Sequence, residues 1–160
     1  MGIDDTDQAI LYLLQAETRT DATHDEIAER IGVSSSTVSN RLQRLRDTGV
    51  LEACEPVIDY EAAGAPHHLL FVCTAPIAER EQLCERAIQV STVVHARELL
   101  TGTRNVHVEV VGRNANDVET ATEELDAIGL EIDAAELLRS EYSRPFDYFG
   151  SAVDNGSSLE

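Results

Sequence analysis

Two short apolar patterns of helical spacing, separated by the turn Gly32-Val33-Ser34, constrain the fold of this chain more than any other feature. Thr23 and Glu26 form a capping box before the first pattern, and Gly32 ends it. Ser34 caps the second pattern, which continues to Gly49. The residues that we expect these two helices to bury are Ile27, Ala28, Ile31, Val38, Leu42 and Leu45. Patterns of this length, joined by a three-residue turn, predict two short helices that pack against each other.

A third amphipathic helix precedes these two. Its start is marked by Asp5 as the cap, with Gln8 three residues later, and its apolar residues are Ile10, Leu13, Leu14 and Ala16. After the three helices, the segment Val50–Tyr60 alternates loosely in polarity and contains Pro56. Because proline cannot donate to a sheet ladder, we expect an edge strand or wing here, which becomes the connector to a second domain.

The apolar period changes near residue 50 from helical to largely strand-like. The elements predicted after this change are a strand over His68–Ala75, a helix over Glu79–Val90, strands over Val93–Thr101 and Arg104–Val111 on either side of Gly102, a helix over Asp117–Ile128 and a strand over Ile132–Ser140. A βαββαβ order with right-handed crossovers predicts a ferredoxin-like antiparallel sheet with both helices on one face. The fold class is therefore α+β. We place the domains at residues 1–62 and 63–150, and expect a disordered tail over residues 151–160.

The first predicted strand is apolar on both of its faces. Leu69, Phe71 and Cys73 point to one face, whereas Leu70 and Val72 point to the other. Since the helices cover only one face of the sheet, the other face needs a partner. A second copy of the same sheet is the simplest partner, and we therefore predict a homodimer.

The stretch Arg30–Arg46 contains four Arg and no acidic residue, although residues 1–62 as a whole hold thirteen acidic residues against five Arg. Its two helices have the length of a helix-turn-helix, whose second helix enters the DNA major groove with its N-terminus first. Hydroxyls at a helix start allow close approach to phosphates, while Asn and Arg recognise base edges. The candidate DNA-contacting residues are Ser34, Ser35, Ser36, Thr37, Ser39, Asn40, Arg41 and Arg44. We predict that Asn40, Arg41 and Arg44 project away from the apolar face; the turn spacing disfavours the alternative of a merely solvated helix.

The same residues resemble a known family. The segments IDDTDQAILYLLQAETR and DEIAERIGVSSSTVSNRLQRLRDTGVL are similar to the DNA-binding domain of the leucine-responsive and asparagine-synthetase regulators, the Lrp/AsnC family. Members of this family follow a winged helix-turn-helix with a βαββαβ module, the RAM domain, that senses ligands and forms oligomers. The resemblance covers roughly residues 2–149. It implies a DNA-binding transcription regulator that assembles as a dimer, tetramer or octamer.

In its C-terminal half the resemblance rests on the element order and on Thr101-Gly102. In effector-binding members, this Thr-Gly is typically followed by two residues and then an Asp. In this chain the corresponding residue is Asn105. The candidate effector-binding residues are Thr101, Gly102, Thr103 and Asn105. Because a neutral amide cannot pair electrostatically with an α-ammonium group, the sequence leaves amino-acid sensing open. Two roles are open for Arg104. Its side chain either binds an anionic effector or is simply exposed to solvent in the hairpin.

The charge of the chain does not exclude double-stranded DNA as its partner. The chain contains twelve basic residues, all of them Arg, and thirty acidic residues, which gives a formal net charge of −18. Acid enrichment without Lys resembles the proteins of halophilic cells, which hold internal salt against multimolar external salt. In ~1 M salt the Debye length is only about 3 Å, so the acidic surface would repel DNA little beyond contact distance.

Other functional classes find little support in the sequence. The start MGIDDTDQ lacks the basic residues of a signal peptide, and the longest apolar run, Leu69–Cys73, is too short for a membrane span, so we expect a cytoplasmic protein. Three separated cysteines without a CxxC pair predict free thiols, and the histidines lack metal-ligand spacing. We expect no cofactor, no metal and no catalytic activity. The competing hypothesis is a stand-alone oligomerising small-molecule sensor whose helix-turn-helix contacts protein rather than DNA.

Overall fold

The structure, a computed structural model, describes residues 2–17 and 23–156. Its elements are α1 (Asp5–Glu17), α2 (His24–Ile31), α3 (Ser35–Asp47), β1 (His67–Thr74), a 3₁₀ turn (Ile77–Glu79), α4 (Arg80–Ala87), β2 (Val93–Glu98), β3 (Val106–Gly112), α5 (Ala115–Ala127), β4 (Glu131–Leu137) and α6 (Asp147–Gly156). They form two compact units. The first contains the chain up to Val57 together with the chain from Tyr142 onward, and the second contains Ile58–Glu141.

The predicted helix signals of the first unit are present as hydrogen bonds. Thr23 and Glu26 form the reciprocal capping box of α2, and Gly32 ends that helix in the left-handed conformation with φ of 72°. The Ser34 hydroxyl accepts a hydrogen bond from the Thr37 backbone N–H at 3.1 Å, which caps α3. Every residue predicted to be buried on α2 and α3 is buried in the structure.

The cap of α1 differs from the prediction by one residue. Asp4 is the cap, because its carboxylate accepts the Asp7 backbone N–H at 2.9 Å while the Asp7 carboxylate accepts the Asp4 N–H at 3.0 Å. The sequence contains acidic residues at positions 4, 5 and 7. Because Asp4 and Asp7 are three residues apart, each carboxylate can accept the backbone N–H of the other residue.

Two expectations about irregular segments are not met. Residues 51–59 contain no strand in the structure, because a strand needs a neighbouring strand and the regular elements described in the first unit are helices. Residues 151–156 are helical rather than disordered, since they belong to α6, whose Ala152 is buried in the core formed by α1 and α2. Residues 157–160 lie outside the described part of the chain.

The second unit has the predicted βαββαβ order, which confirms the α+β class. Its strands are antiparallel in the order β2-β3-β1-β4. The inward residues Phe71 and Cys73 of β1 share one core with Leu83 of α4 and Leu125 of α5, so both helices lie on the same face. On the other face, Leu70 and Val72 are half-buried, and β3 places Glu109 and His107 opposite them.

Candidate nucleic-acid interface

The α2–turn–α3 segment is held by a shared core and by polar contacts at its start. Ile27 and Ile31 of α2 pack in the same cluster as Val38 and Leu42 of α3. Beside this core, the His24 ring nitrogen Nδ1 lies 3.1 Å from the hydroxyl of Ser39, and the Ser35 hydroxyl donates to Asp25. The orientation of α3 relative to α2 is therefore determined by apolar packing, and several of its serines are already hydrogen-bonded within the motif.

Arg41 and Arg44 do not project freely from α3. Both guanidinium groups form ion pairs with Asp7 at the start of α1, and Arg41 also pairs with Asp4. Asp7 is fully buried, with an exposed side-chain fraction of 0%, and the Arg41 Nη1 to Asp7 Oδ1 distance is 3.3 Å. We call Asp4, Asp7, Arg41 and Arg44 the acid–arginine cluster; it joins α3 to α1.

The electrostatics of this cluster favour the charged forms of Asp4 and Arg41. Burial opposes ionisation of Asp4, but the hydrogen bond from Asp7 N–H and the Arg41 guanidinium together lower the pKa of Asp4 below its usual value. The hydrogen bond to Asp4 raises the pKa of Arg41 against its partial desolvation. Each charge is thus matched inside the first unit.

The prediction that Arg41 and Arg44 lie opposite the apolar face is wrong for Arg41 and only partly right for Arg44. Arg41 follows Val38 by three residues and precedes Leu45 by four, and this spacing places it beside the buried stripe of a helix. Its side chain is 27% exposed and that of Arg44 is 40% exposed.

The exposed face of α3 contains three of the predicted residues, Ser36, Ser39 and Asn40, together with three that were not predicted. Its members are Ser36, Ser39, Asn40, Gln43, Arg46 and Asp47. Gln43, absent from the sequence prediction, lies three residues beyond Asn40 and seven beyond Ser36, which puts all three on one stripe. The helical spacing of the apolar residues was the signal that could have identified it. Ser34 and Thr37 form the cap, and their hydroxyls lie 2.8 Å apart.

The candidate effector residues separate into two environments. Thr101, Gly102 and Thr103 lie together in the exposed loop between β2 and β3. Asn105 is instead fully buried, and both ends of its amide bond the backbone of Ala75: the Ala75 N–H donates to Oδ1 at 2.8 Å, and Nδ2 donates to the carbonyl at 2.9 Å. Asn105 therefore anchors the end of the loop to the end of β1.

The thiols and the other candidate chemistry fall outside this interface. All three cysteines are free; Cys54 is exposed, Cys84 is partly buried and Cys73 is buried. Within residues 2–17 and 23–156, no group of three or more His, Cys, Asp or Glu is arranged to hold a metal ion. No helix in that part of the chain is both long and apolar enough to cross a membrane.

Comparison with known proteins identifies the class. The AsnC-type helix-turn-helix domain matches residues 3–46. An HTH-type transcriptional regulator of Sinorhizobium fredii is 30% identical over 102 residues, 64% of this chain and 57% of that protein. The HTH-type transcriptional regulator Rv2324 of Mycobacterium tuberculosis is 30% identical over 125 residues, 77% of this chain and 82% of that protein.

Solved structures of similar fold match about 90% of the chain. Escherichia coli AsnC superposes with a TM-score of 0.65 at 18% identity and covers 91% of this chain and 99% of its own. A Neisseria meningitidis transcriptional regulator, solved as a complex with L-Met, has a TM-score of 0.69 at 19% identity and covers 90% and 94%. By fold and sequence the protein is thus a helix-turn-helix transcriptional regulator. It belongs to the Lrp/AsnC family.

Proposed function

We propose that this regulator binds specific sequences in double-stranded DNA through the exposed face of α3, as a homo-oligomer. The observation that carries the proposal is that α3, fixed by α1 and α2, presents a polar stripe without an acidic residue until Asp47. Such a stripe on the second helix of a helix-turn-helix suits the major groove. A regulator of chromosomal DNA acts where that DNA lies, so the proposal includes a cytoplasmic location. It also assigns the chain no catalytic role, as the family suggests.

Charge reversal at Arg46 tests the assignment of this face. Arg46 is exposed on α3, whereas Arg139 is exposed in the second unit, and Arg→Glu at either position changes the net charge equally. Binding sites are first selected from genomic fragments and then measured by electrophoretic shift at several KCl concentrations. Arg46→Glu should abolish or severely weaken binding, because it places a carboxylate against the phosphates. Equal loss in Arg139→Glu would mean that only the total charge matters.

The alternative, a sensor whose helix-turn-helix contacts protein, makes a different prediction in the same experiment. Wild-type protein would then retain no genomic fragment at any salt concentration. Such a result, obtained with protein that circular dichroism shows to be folded, would overturn DNA binding as the proposed function.

The homo-oligomer of the proposal is built on the helix-free face of the sheet. Leu70, Val72 and Val111 are half-buried there, and a second copy of the sheet would remove them from water. The family supports self-association, from a dimer to a tetramer or octamer.

A small effector, such as an amino acid, is the modulator that we propose. The L-Met complex of the Neisseria meningitidis relative supports this class of ligand. In this chain Asn105 has both amide ends engaged, so we assign the effector to the exposed loop residues Thr101, Gly102 and Thr103, where the Thr101 hydroxyl donates to the Thr103 carbonyl at 2.9 Å. Arg104, exposed in the same loop, keeps an anionic effector as the second candidate.

Gly102 provides the test of this loop. A Cβ placed there meets no atom within 4 Å, so Gly102→Leu adds bulk at an open position of the loop. Operator affinity is measured with each of the twenty amino acids and with simple organic anions. We expect at least one compound to change the affinity by 5-fold or more, which is the usual size of allosteric coupling, and Gly102→Leu to remove the change. An effect that survives Gly102→Leu would place the effector elsewhere.

A further inference from the structure

We propose that Asn40 and Gln43 are the base-reading residues of α3 and that they select adenine, whereas Arg41 and Arg44 hold the helix in place and read no base. This inference rests on the proposed DNA-binding function and specifies its recognition chemistry.

The first step is the removal of the two arginines from the set of readers. An arginine that reads guanine needs a guanidinium free to meet two acceptors on the base edge. In the acid–arginine cluster, Nη1 of Arg41 and Nη2 of Arg44 meet the carboxylates of Asp4 and Asp7, which turns both guanidinium groups toward α1. Asp7 is fully buried, so withdrawal of its arginines would leave an unpaired carboxylate inside the first unit.

The second step is the amide chemistry of the exposed stripe. Asn and Gln recognise adenine because one amide presents a donor to N7 and an acceptor to the N6 amino group. The Asn40 side chain is exposed and has no hydrogen bond within the described residues. Ser36, on the same stripe, is small and leaves room for close approach of the helix to the bases.

Gln43 is held in one orientation by its neighbour. Its Nε2 donates to Asp47 Oδ1 at 2.8 Å, one helical turn away. An amide nitrogen carries two hydrogens, so the second hydrogen and the Oε1 acceptor stay available for a bidentate contact. A carboxylate accepts from the amide nitrogen and repels the amide oxygen, so Asp47 favours one orientation of the amide and one order of its donor and acceptor. An amide with a preferred orientation discriminates adenine from the other bases better than a freely rotating amide does.

The spacing of the two residues predicts where their bases lie. Three residues along a helix correspond to about 4.5 Å, and successive bases on one strand are about 3.4 Å apart. Asn40 and Gln43 therefore reach the same or neighbouring steps of the major groove. We expect two adenines, on one or both strands, within two or three base pairs of each half-site.

Selection from a random DNA library, followed by sequencing, tests this inference. Wild-type protein should select such half-sites, and Asn40→Ala and Gln43→Ala should each lose the preference at one position, by about 5- to 150-fold. Gln43→Arg should exchange adenine for guanine at its position. Gln82→Ala, an exposed glutamine on α4, is the matched control and should select as wild type does.

The outcomes separate the inference from the proposed function. DNA binding with the same base preferences in Asn40→Ala and Gln43→Ala overturns the inference and leaves the function intact. A guanine preference that disappears in Arg44→Lys, which keeps the charge beside Asp7, also overturns it. Wild-type protein that binds no DNA overturns both together.

Discussion

Asp7 shows how a single buried charge changes the role of two arginines. Its carboxylate is surrounded by Arg41, Arg44 and the backbone N–H of Asp4. A buried carboxylate without such partners would cost several kcal/mol, and the pairs offset that cost. Arg41 and Arg44 therefore stabilise the folded first unit by neutralising Asp7.

Removal of Arg44 should therefore lower stability more than removal of an exposed arginine. We expect Arg44→Ala to reduce the free energy of unfolding by about 1 to 3 kcal/mol, because Asp7 loses a charged partner. Arg46→Ala, at an exposed position on the same helix, should change it by less than about 0.5 kcal/mol. Urea denaturation at fixed KCl measures both. Equal midpoints for the two variants would contradict the structural role of the cluster.

The cysteines provide a second prediction at the residue scale. Burial, assisted by Asp133 and Cys84, raises the pKa of Cys73 to about 12. Since the thiolate is the nucleophile, Cys73 should not react with a thiol reagent at pH 8 while the protein is folded. Cys54 is exposed and should react rapidly. Cys54→Ser should thus remove the fast phase of labelling; a fast phase that depends on Cys73 would be inconsistent with its burial.

Among the elements, α6 was not expected. The segment SAVDNG within it is short and polar, with the composition of a flexible end. In the structure α6 nevertheless packs on α1 and α2 and buries Ala152, whose exposed fraction is 7%. Ala152 and the partly buried Val153 pack on this core, but two adjacent apolar residues give no helical periodicity that the sequence could show.

Charge substitutions in α6 distinguish a packed helix from a disordered end. Ala152→Asp should destabilise the first unit by about 2 kcal/mol or more, because it places a carboxylate in an apolar core. Ser151→Asp adds the same charge at the neighbouring exposed position and serves as the control. Thermal unfolding at one KCl concentration compares them. If the two variants melt alike, the packing of α6 is refuted.

For the whole molecule, the first question is self-association. Leu70 and Val72 are half-buried on the helix-free face, and Leu70→Arg should prevent a second sheet from docking there. Leu100→Arg changes a side chain that is already 93% exposed and should leave the assembly intact. Light scattering at micromolar concentration in molar KCl should show a dimer or larger species for wild type. A wild-type monomer would rule out this interface.

Salt dependence is the second property of the whole molecule. Ordinary counterion release weakens DNA binding as salt rises, with a log-log slope of about −0.9 per phosphate neutralised. Against this, the net charge of −18 repels the duplex at low salt, and molar salt screens that repulsion more than short contacts. We expect operator affinity to stay flat or strengthen from ~0.1 M KCl into the molar range. Circular dichroism must confirm folding at each point, since low salt loosens acidic proteins. A steep, continuous fall would show that counterion release dominates.

Local signals were sufficient for most of the fold. The capping box of Thr23, the helix end at Gly32 and the apolar run of β1 act within a few residues, and each appears in the structure within one residue of the predicted place. The prediction of a strand or wing at Val50–Tyr60 was wrong, because strand pairing depends on a neighbouring strand and not only on the segment itself. Gln43 was missed although the apolar period of α3 already located its face.

By itself, then, the amino-acid sequence determined α1 to α5, the βαββαβ order along the second unit and the motif that α3 completes, because hydrophobic period and caps are local properties. Only the tertiary structure decided what the polar side chains do. Arg41 and Arg44 form ion pairs with Asp7, which lies 34 and 37 positions earlier in the sequence. Asn105 bonds the backbone of Ala75, which lies 30 positions earlier. These pairings depend on which surfaces meet after folding and on the cost of an unpaired buried charge or amide, and no local pattern contains that information.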